Sequence, residues 1–280
     1  MVYNKFLEMI EQNDYITIYS YFTKELKKKI SKRELKKVMN SYLLFASNHD
    51  CYVAFGDSEN GENVWLDKIG NYGILIQITK GEISGLIFKS LYYFKEKISQ
   101  LKYQLPFLDE WFVYWGGDNE LYNYHYPFET QRYAYDFIKV DKASGVSYAN
   151  FGKQCSDYYA FNSEVCAPLN GIVVDTKSNI KDNKLGKTNK KNPLGNYVII
   201  KHNENEYSII GHLKKNSIEV NIGDEITEKQ IVGRCGNSGN SSEPHIHFQI
   251  SNKPNLYSGQ SLKINFENKQ EPIKGETVRR

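Results

Sequence analysis

His245 and His247 stand two residues apart in the run from Gly236 to Ile250. Side chains two apart on a strand point to one face, so both imidazoles can reach one point from a rigid support. Ile246, Phe248 and Ile250 alternate with His245, His247 and Gln249. That period-2 pattern predicts a strand with one apolar, core-directed face and one polar face. Pro244 suits a strand start, and the Gly and Asn residues upstream suit a tight turn. The pair is an arrangement for holding a metal; its bland counterpart is two chance surface histidines. With six histidines in 280 residues, two in one tripeptide is a concentration that composition does not explain.

Two further residues belong with this pair. His212 follows the short apolar run Tyr207 to Ile210, which again reads as a strand. Asp136 sits among aromatic and apolar residues between Gln131 and Ile138. Burying a carboxylate unpaired is costly, so a cation partner is expected, either a metal or the nearby Arg132.

These stretches occur in order with others: Ala167 to Val174, Gly195 to Ile200, Gly211 to Leu213, Gly223 to Ile226, Val232 to Gly239 and Pro244 to Phe248. Together they resemble the lysostaphin-type (LytM-like) zinc endopeptidases, which cleave peptide cross-bridges in bacterial cell walls. The resemblance runs from about Trp111 to Ile250, roughly half of the chain. It implies an all-β peptidase domain, a Zn2+ cofactor and a peptide or peptidoglycan substrate. It also implies that Asp136 and His247 are zinc ligands and that His245 and His212 serve in catalysis. Three protein ligands leave a fourth zinc position for water, whose pKa falls towards about 7. A nearby imidazole can take its proton, and another can steady the oxyanion or protonate the leaving amine.

One position departs from the family pattern. Four residues before Asp136, where the pattern has His, this chain has Arg132. A guanidinium stays protonated and offers no lone pair to a metal. Either another residue fills that coordination position or the metal site is broken. The nearest substitute is His125, in a tyrosine-rich stretch seven positions upstream, where the alternative is a surface or hydrogen-bonding role. Gln131 is a poorer ligand, since neutral amides seldom bind zinc. Two functional classes follow: a zinc-dependent endopeptidase, or a metal-free, catalytically silent module that binds a peptide or partner enzyme in the same groove. Retention of Asp136, His212, His245 and His247 together favours the first.

Elsewhere in this half, strands broken by Gly and Asn turns are expected, with no helical period between Asn162 and Gln249. The Lys- and Asn-rich segment from Thr176 to Asn192 has little to bury and reads as a mobile loop. His202 lies in a polar stretch and reads as solvent-exposed. The Gly236 to Ser242 run is not a phosphate cradle, because no strand-to-helix unit with a Lys-Ser or Lys-Thr ending follows it.

The first ninety residues differ in character. Helical spacing marks Phe6 to Ile10, Ile18 to Phe22 and Glu34 to Leu44. Four strands follow, around Tyr52 to Phe55, Glu62 to Asp67, Tyr72 to Ile78 and Ile83 to Phe88. The expected fold class is therefore an α+β N-terminal domain followed by an all-β peptidase domain. The element order and the Gly81 to Lys89 ending resemble the cone-shaped nuclear transport factor 2-like fold. We divide the chain into 1–90, an α+β binding or positioning domain; 91–110, a packed connection; and 111–280, a β-rich metallopeptidase domain with a tail. A formal charge of +3 indicates no nucleic-acid footprint. The lysine run from Lys24 to Lys37 is either a solvated helix face or a point of attraction to anionic polymer or membrane. Cys51, Cys155, Cys166 and Cys235 form no disulfide framework. With no secretory leader at the N-terminus as written and no run long enough to span a membrane, a cytoplasmic location is expected, whereas the resemblance implies the cell envelope.

Overall fold

The computed structural model describes residues 2–268 and 271–280. The chain forms two units, Met1–Tyr93 and Phe94–Arg280. The division falls inside the expected connection 91–110.

In the first unit four helices precede a four-stranded antiparallel meander: α1 (Val2–Glu11), α2 (Tyr15–Ser20), α3 (Lys24–Lys29), α4 (Lys32–Leu43), β1 (His49–Gly56), β2 (Asn60–Asp67), β3 (Tyr72–Thr79) and β4 (Glu82–Ser90). Sequence periodicity foresees each of these except α3, which buries no side chain and so leaves no apolar stripe to read. A reciprocal cap starts α4: the Glu34 amide donates to Ser31 Oγ, and the Ser31 amide donates to Glu34 Oε2. Leu35, Met39 and Tyr42, spaced four and three residues apart, turn its apolar face inward. Between β3 and β4, Lys80 (φ 54°) and Gly81 (φ 73°) are both left-handed. Two such residues make the turn whose twist matches that of paired strands. The helices bury Phe6, Ile10, Ile18 and Leu35 against Trp65, Ile74, Ile76 and Ile83 of the sheet.

The second unit contains β5 (Glu110–Trp115), β6 (Tyr135–Ile138), β7 (Glu164–Cys166), β8 (Gly171–Lys177), β9 (Asn196–Asn203), β10 (Glu206–Leu213), β11 (Glu225–Ile226), β12 (Ile231–Arg234), β13 (Ile246–Ser251), β14 (Ser261–Leu262) and β15 (Thr277–Arg279). Its main sheet runs β11-β8-β9-β10-β13-β6-β5-β15, with β14 beside β13, while β7 and β12 pair separately. One face of this sheet is the core, where Val113, Phe137, Val198, Ile200, Ile210, Ile246, Phe248 and Ile250 meet. The expected alternation in β13 is present, but both of its faces are buried, since loops cover the polar one.

Residues 94–109 hold to this unit through their backbone. Ile98 and Tyr103 bridge Lys263 and Phe266. The buried Glu206 carboxylate accepts from the Gln100 and Leu101 amides and the Tyr103 hydroxyl.

Two expectations need correction. His202 is half-buried rather than solvent-exposed. Its Nδ1 lies 2.8 Å from Asn170 O and its Nε2 2.9 Å from Ser208 Oγ, with the ring edge-on to Tyr103. The segment Thr176 to Asn192 is not a free loop. Asn183 Nδ2 donates to Gly239 O and Ser241 O, the Gly186 amide donates to Ser242 O, and the Asn237 amide donates to Asp182 Oδ1. Its polar side chains satisfy the backbone of the turn before β13 instead of facing water.

Candidate metal centre

The centre is built on three adjacent strands. His247 of β13 lies directly opposite Asp136 of β6 on one side and Gly211 of β10 on the other. Directly opposed residues share a face, so β6 and β13 bring the carboxylate and the imidazole together by register alone.

His212 reaches the same place by an irregularity. Strict alternation after Gly211 would aim it at the core. Instead the pairing of β10 with β9 slips between Ile210 and Leu213, and His212 adopts φ 61°. This left-handed conformation costs on the order of 1 kcal/mol for a residue with a Cβ. Backbone bonds hold it, from the His212 amide to Leu194 O and from the Gly236 amide to His212 O. The ring then lies 4.6 Å from that of His245 and 5.8 Å from that of His247.

His125 comes from the irregular stretch between β5 and β6. Asn123, fully buried, fixes it: its Oδ1 accepts from the His125 amide, and its Nδ2 donates to Gly117 O, Arg132 O and Ala134 O. One side chain thereby ties the stretch to the start of β6. Arg132 turns away from the centre. Its guanidinium stacks 3.5 Å over the Phe94 ring, and its Nε donates to Tyr126 O. The alternative in which Arg132 pairs with Asp136 is therefore not formed.

His125 Nε2 lies 3.1 Å from Asp136 Oδ2, and His247 Nδ1 lies 3.0 Å from Asp136 Oδ1. Ligand atoms of His125, Asp136 and His247 all fall within 4.8 Å of one another, and all three residues are buried. His245 Nε2 lies 3.8 Å from Asp136 Oδ1. Sequence reasoning thus named every histidine of the cluster. It missed Tyr124, which lines a cleft with Asp136 and whose ring lies 4.0 Å from that of His125. It also missed Gln249, although spacing offered a signal, because Gln249 follows His247 by two on one strand face.

Hydrogen bonds decide the tautomers. Gln249 Nε2 donates to Thr130 O at 2.9 Å, so its Oε1 faces His247 Nε2 at 3.0 Å. That nitrogen must carry a proton, so Nδ1 meets Asp136 either as the lone pair of a neutral ring or as the second N–H of an imidazolium. A neutral ring would set two acceptors 3.0 Å apart and call for a bound cation between them, whereas an imidazolium would pair with the carboxylate directly. His212 Nδ1 faces Ser238 O at 2.8 Å, and His245 Nδ1 faces Glu243 O at 2.8 Å. A carbonyl only accepts, so both rings carry the proton on Nδ1 and present the Nε2 lone pair.

Burial raises the Asp136 carboxyl, but the surrounding histidines, His125 foremost, outweigh it and hold the group well below the ordinary range. Burial pushes His125 down, and it pushes His212 well down with help from His245 and His247. A carboxylate among imidazoles is a donor set for a borderline divalent metal. Two nitrogens and one oxygen suit zinc and leave one of its four positions open. The Tyr124 phenol, raised by burial and by Asp136, stays a donor. Beside the centre lies a cleft of about 350 Å3, lined by Tyr114, Trp115, Tyr124, Asp136 and His245 among others.

Residues 155–260 match the family model described as Peptidase family M23. The match covers less than half of the chain and shows similarity to that family over this stretch. It carries His212, His245 and His247, whereas His125 and Asp136 precede the matched residues. A curated relative, an uncharacterized metalloprotease of Buchnera aphidicola subsp. Baizongia pistaciae (strain Bp), is 41% identical over 56 residues. That match covers 20% of this chain and spans 14% of the relative. Among solved structures, the catalytic domain of the antimicrobial peptidase lysostaphin from Staphylococcus simulans aligns at 20% identity over 55% of this chain and 88% of that chain, with a TM-score of 0.30. The M23 metalloprotease pseudoalterin, from the deep sea, aligns at 15% identity over 65% of this chain and all of that one, with a TM-score of 0.39.

Proposed function

We propose that the protein is a zinc-dependent endopeptidase in which His125, Asp136 and His247 hold the metal, and that its substrates are the cross-bridge or stem peptides of peptidoglycan. The observation that carries this reading is the buried cluster in which His247 Nδ1 faces one oxygen of Asp136 and His125 Nε2 the other, with the ligand atoms of all three within 4.8 Å of one another. Two imidazole nitrogens and a carboxylate converging in a buried site form a donor set suited to zinc. Asp136 in β6 and His247 in β13 are positioned by strand pairing, and His125 supplies the nitrogen that Arg132 cannot.

Zinc so held supplies a Lewis acid for the attacking water and the scissile carbonyl. His245 and His212 handle the protons. Each presents a free Nε2, with the opposite nitrogen anchored on a carbonyl, so neither can turn its protonated side to the substrate. His212, kept neutral by burial, is the base: its Nε2 takes the proton of the attacking water and returns it to the leaving amine, while His245, nearer Asp136, would steady the oxyanion with its Nε2 protonated. The aromatic wall of Tyr114, Trp115 and Tyr124 would position an extended peptide in the cleft. The first unit serves as a binding or positioning module. A metal-free module draws its support from Arg132, and that support weakens once Arg132 is seen to face Phe94.

The test is the zinc content of purified wild type and His125→Ala, measured side by side by elemental mass spectrometry. Near-stoichiometric zinc in wild type, lost in the variant, is the expected result. Absence of zinc from wild type after adding it back overturns the reading.

A further inference from the structure

We propose that Glu243 is a specificity-determining residue, whose carboxylate selects peptides carrying a positively charged side chain beside the scissile bond. The inference rests on the peptidase reading above and adds the chemistry of its substrate.

Charge along the cleft beside the metal centre is one-sided. Its lining holds the carboxylates of Asp136 and Glu243, and among the described residues no lysine or arginine contributes to it. Lys274 is buried against the Trp115 ring, 3.5 Å from its centroid, and does not line the cleft. Asp136 is matched by His125 and His247. Glu243 has no such match. Its side chain makes no hydrogen bond or ion pair among the described residues, and His245 is the group whose charge acts on it. Burial raises its carboxyl, as expected of a half-covered charge without a countercharge.

The backbone keeps Glu243 in this setting. Its carbonyl accepts from His245 Nδ1 and from Ser241 Oγ, each at 2.8 Å, and Pro244 restricts both its own conformation and that of the residue before it. The turn ahead is tied down as well, since the Gly186 amide donates to Ser242 O and Asn183 Nδ2 to Ser241 O. The bond to His245 also places Glu243 beside the reaction. One end of the imidazole is held on the Glu243 carbonyl, and Nε2 at the other end lies 3.8 Å from Asp136 Oδ1. Glu243 does not belong to the group that converges on the candidate metal position. Its carboxylate is left for the substrate.

Two features narrow the occupant. A partner supplied by the substrate must bring positive charge, because a neutral amide or hydroxyl would leave a partly buried charge uncompensated. Tyr114, Trp115 and Tyr124 share the lining, and aromatic rings attract an ammonium or guanidinium while packing on its methylene stem. An acidic side chain would meet two carboxylates and be repelled.

The experiment uses full-length, zinc-loaded protein and fluorescently labelled oligoglycine peptides with one central residue: lysine, arginine or the neutral acetyl-lysine. Anisotropy reads binding, and mass spectrometry of the same samples reads cleavage. Wild type is expected to bind the lysine or the arginine peptide roughly tenfold more tightly than the acetyl-lysine peptide, the worth of one charge-assisted contact. The two cationic peptides tell an ammonium preference from a guanidinium one. In Glu243→Gln the ratio of affinities for cationic over neutral peptide is expected to fall to about one, and Glu243→Lys is expected to favour a peptide with central glutamate. A ratio near one in wild type, a ratio unmoved by Glu243→Gln, or no binding at all overturns the proposal. Equal losses for cationic and neutral peptides would leave the ratio unmoved and assign Glu243 to the support of His245 instead. Binding with the expected preference but without cleavage supports the cation site and counts against the peptidase reading.

Discussion

Each unit of the molecule holds a histidine against a carboxylate, and the two pairs are wired differently. In the first unit His49 Nδ1 lies 3.0 Å from Glu11 Oε1, and its Nε2 lies 2.8 Å from the Tyr42 hydroxyl. The Glu11 oxygen also accepts the His49 amide. A neutral ring protonated on Nδ1 satisfies every contact: it donates to the carboxylate and accepts from the phenol. In the second unit Gln249 accepts the Nε2 proton of His247 on the side away from Asp136, so a neutral ring would turn its lone pair to the carboxylate. The first pair is complete with a neutral ring, and the second needs either a further proton or a metal ion. Proximity of His to Asp or Glu therefore says little about metal binding; the partner of the other ring nitrogen decides it.

The strongest way to break this comparison is His247→Ala. Zinc content should fall to background and peptide hydrolysis should be lost, as read by elemental analysis and by release of new amino termini. Unchanged activity would sink the proposed function. A smaller effect should follow Gln249→Leu, which removes the group that sets the His247 tautomer. Zinc affinity, read by competition with a chromophoric chelator, should drop about 10- to 100-fold. Retained affinity would mean that His247 finds its tautomer without help. The smallest effect on metal, none, is expected for His49→Phe. That change leaves the buried Tyr42 hydroxyl without its partner and should cost about 1–3 kcal/mol in denaturant unfolding. A change in zinc content there would show that the first pair is not self-contained.

Much of the centre was legible because strand chemistry is local. His245, His247 and the alternating apolar residues set the face of β13, and an aspartate among aromatics at 136 announced a charge in need of a partner. What was not legible depends on distant backbone. Nothing in Gly211-His212-Leu213 states that the strand slips there and turns His212 onto the polar face. His125 was visible only as the nearest substitute for the missing ligand. The device that holds it, Asn123 reaching Gly117, Arg132 and Ala134, joins residues scattered over a long irregular stretch. The segment Thr176 to Asn192 was misread for the same reason. Its Asp and Asn side chains look solvated in sequence, and the turn they bind is about 55 residues away. The α+β order of the first unit was readable from periodicity, apart from α3, which has no periodicity to read.

The left-handed backbone at position 212 bears on how the chain tolerates change. Glycine adopts φ near +60° freely, and histidine does not. A search for thermostable variants would therefore drift towards glycine at this position, gaining a little stability while erasing an imidazole. Any consensus or stability-guided redesign of this domain should hold His212 fixed.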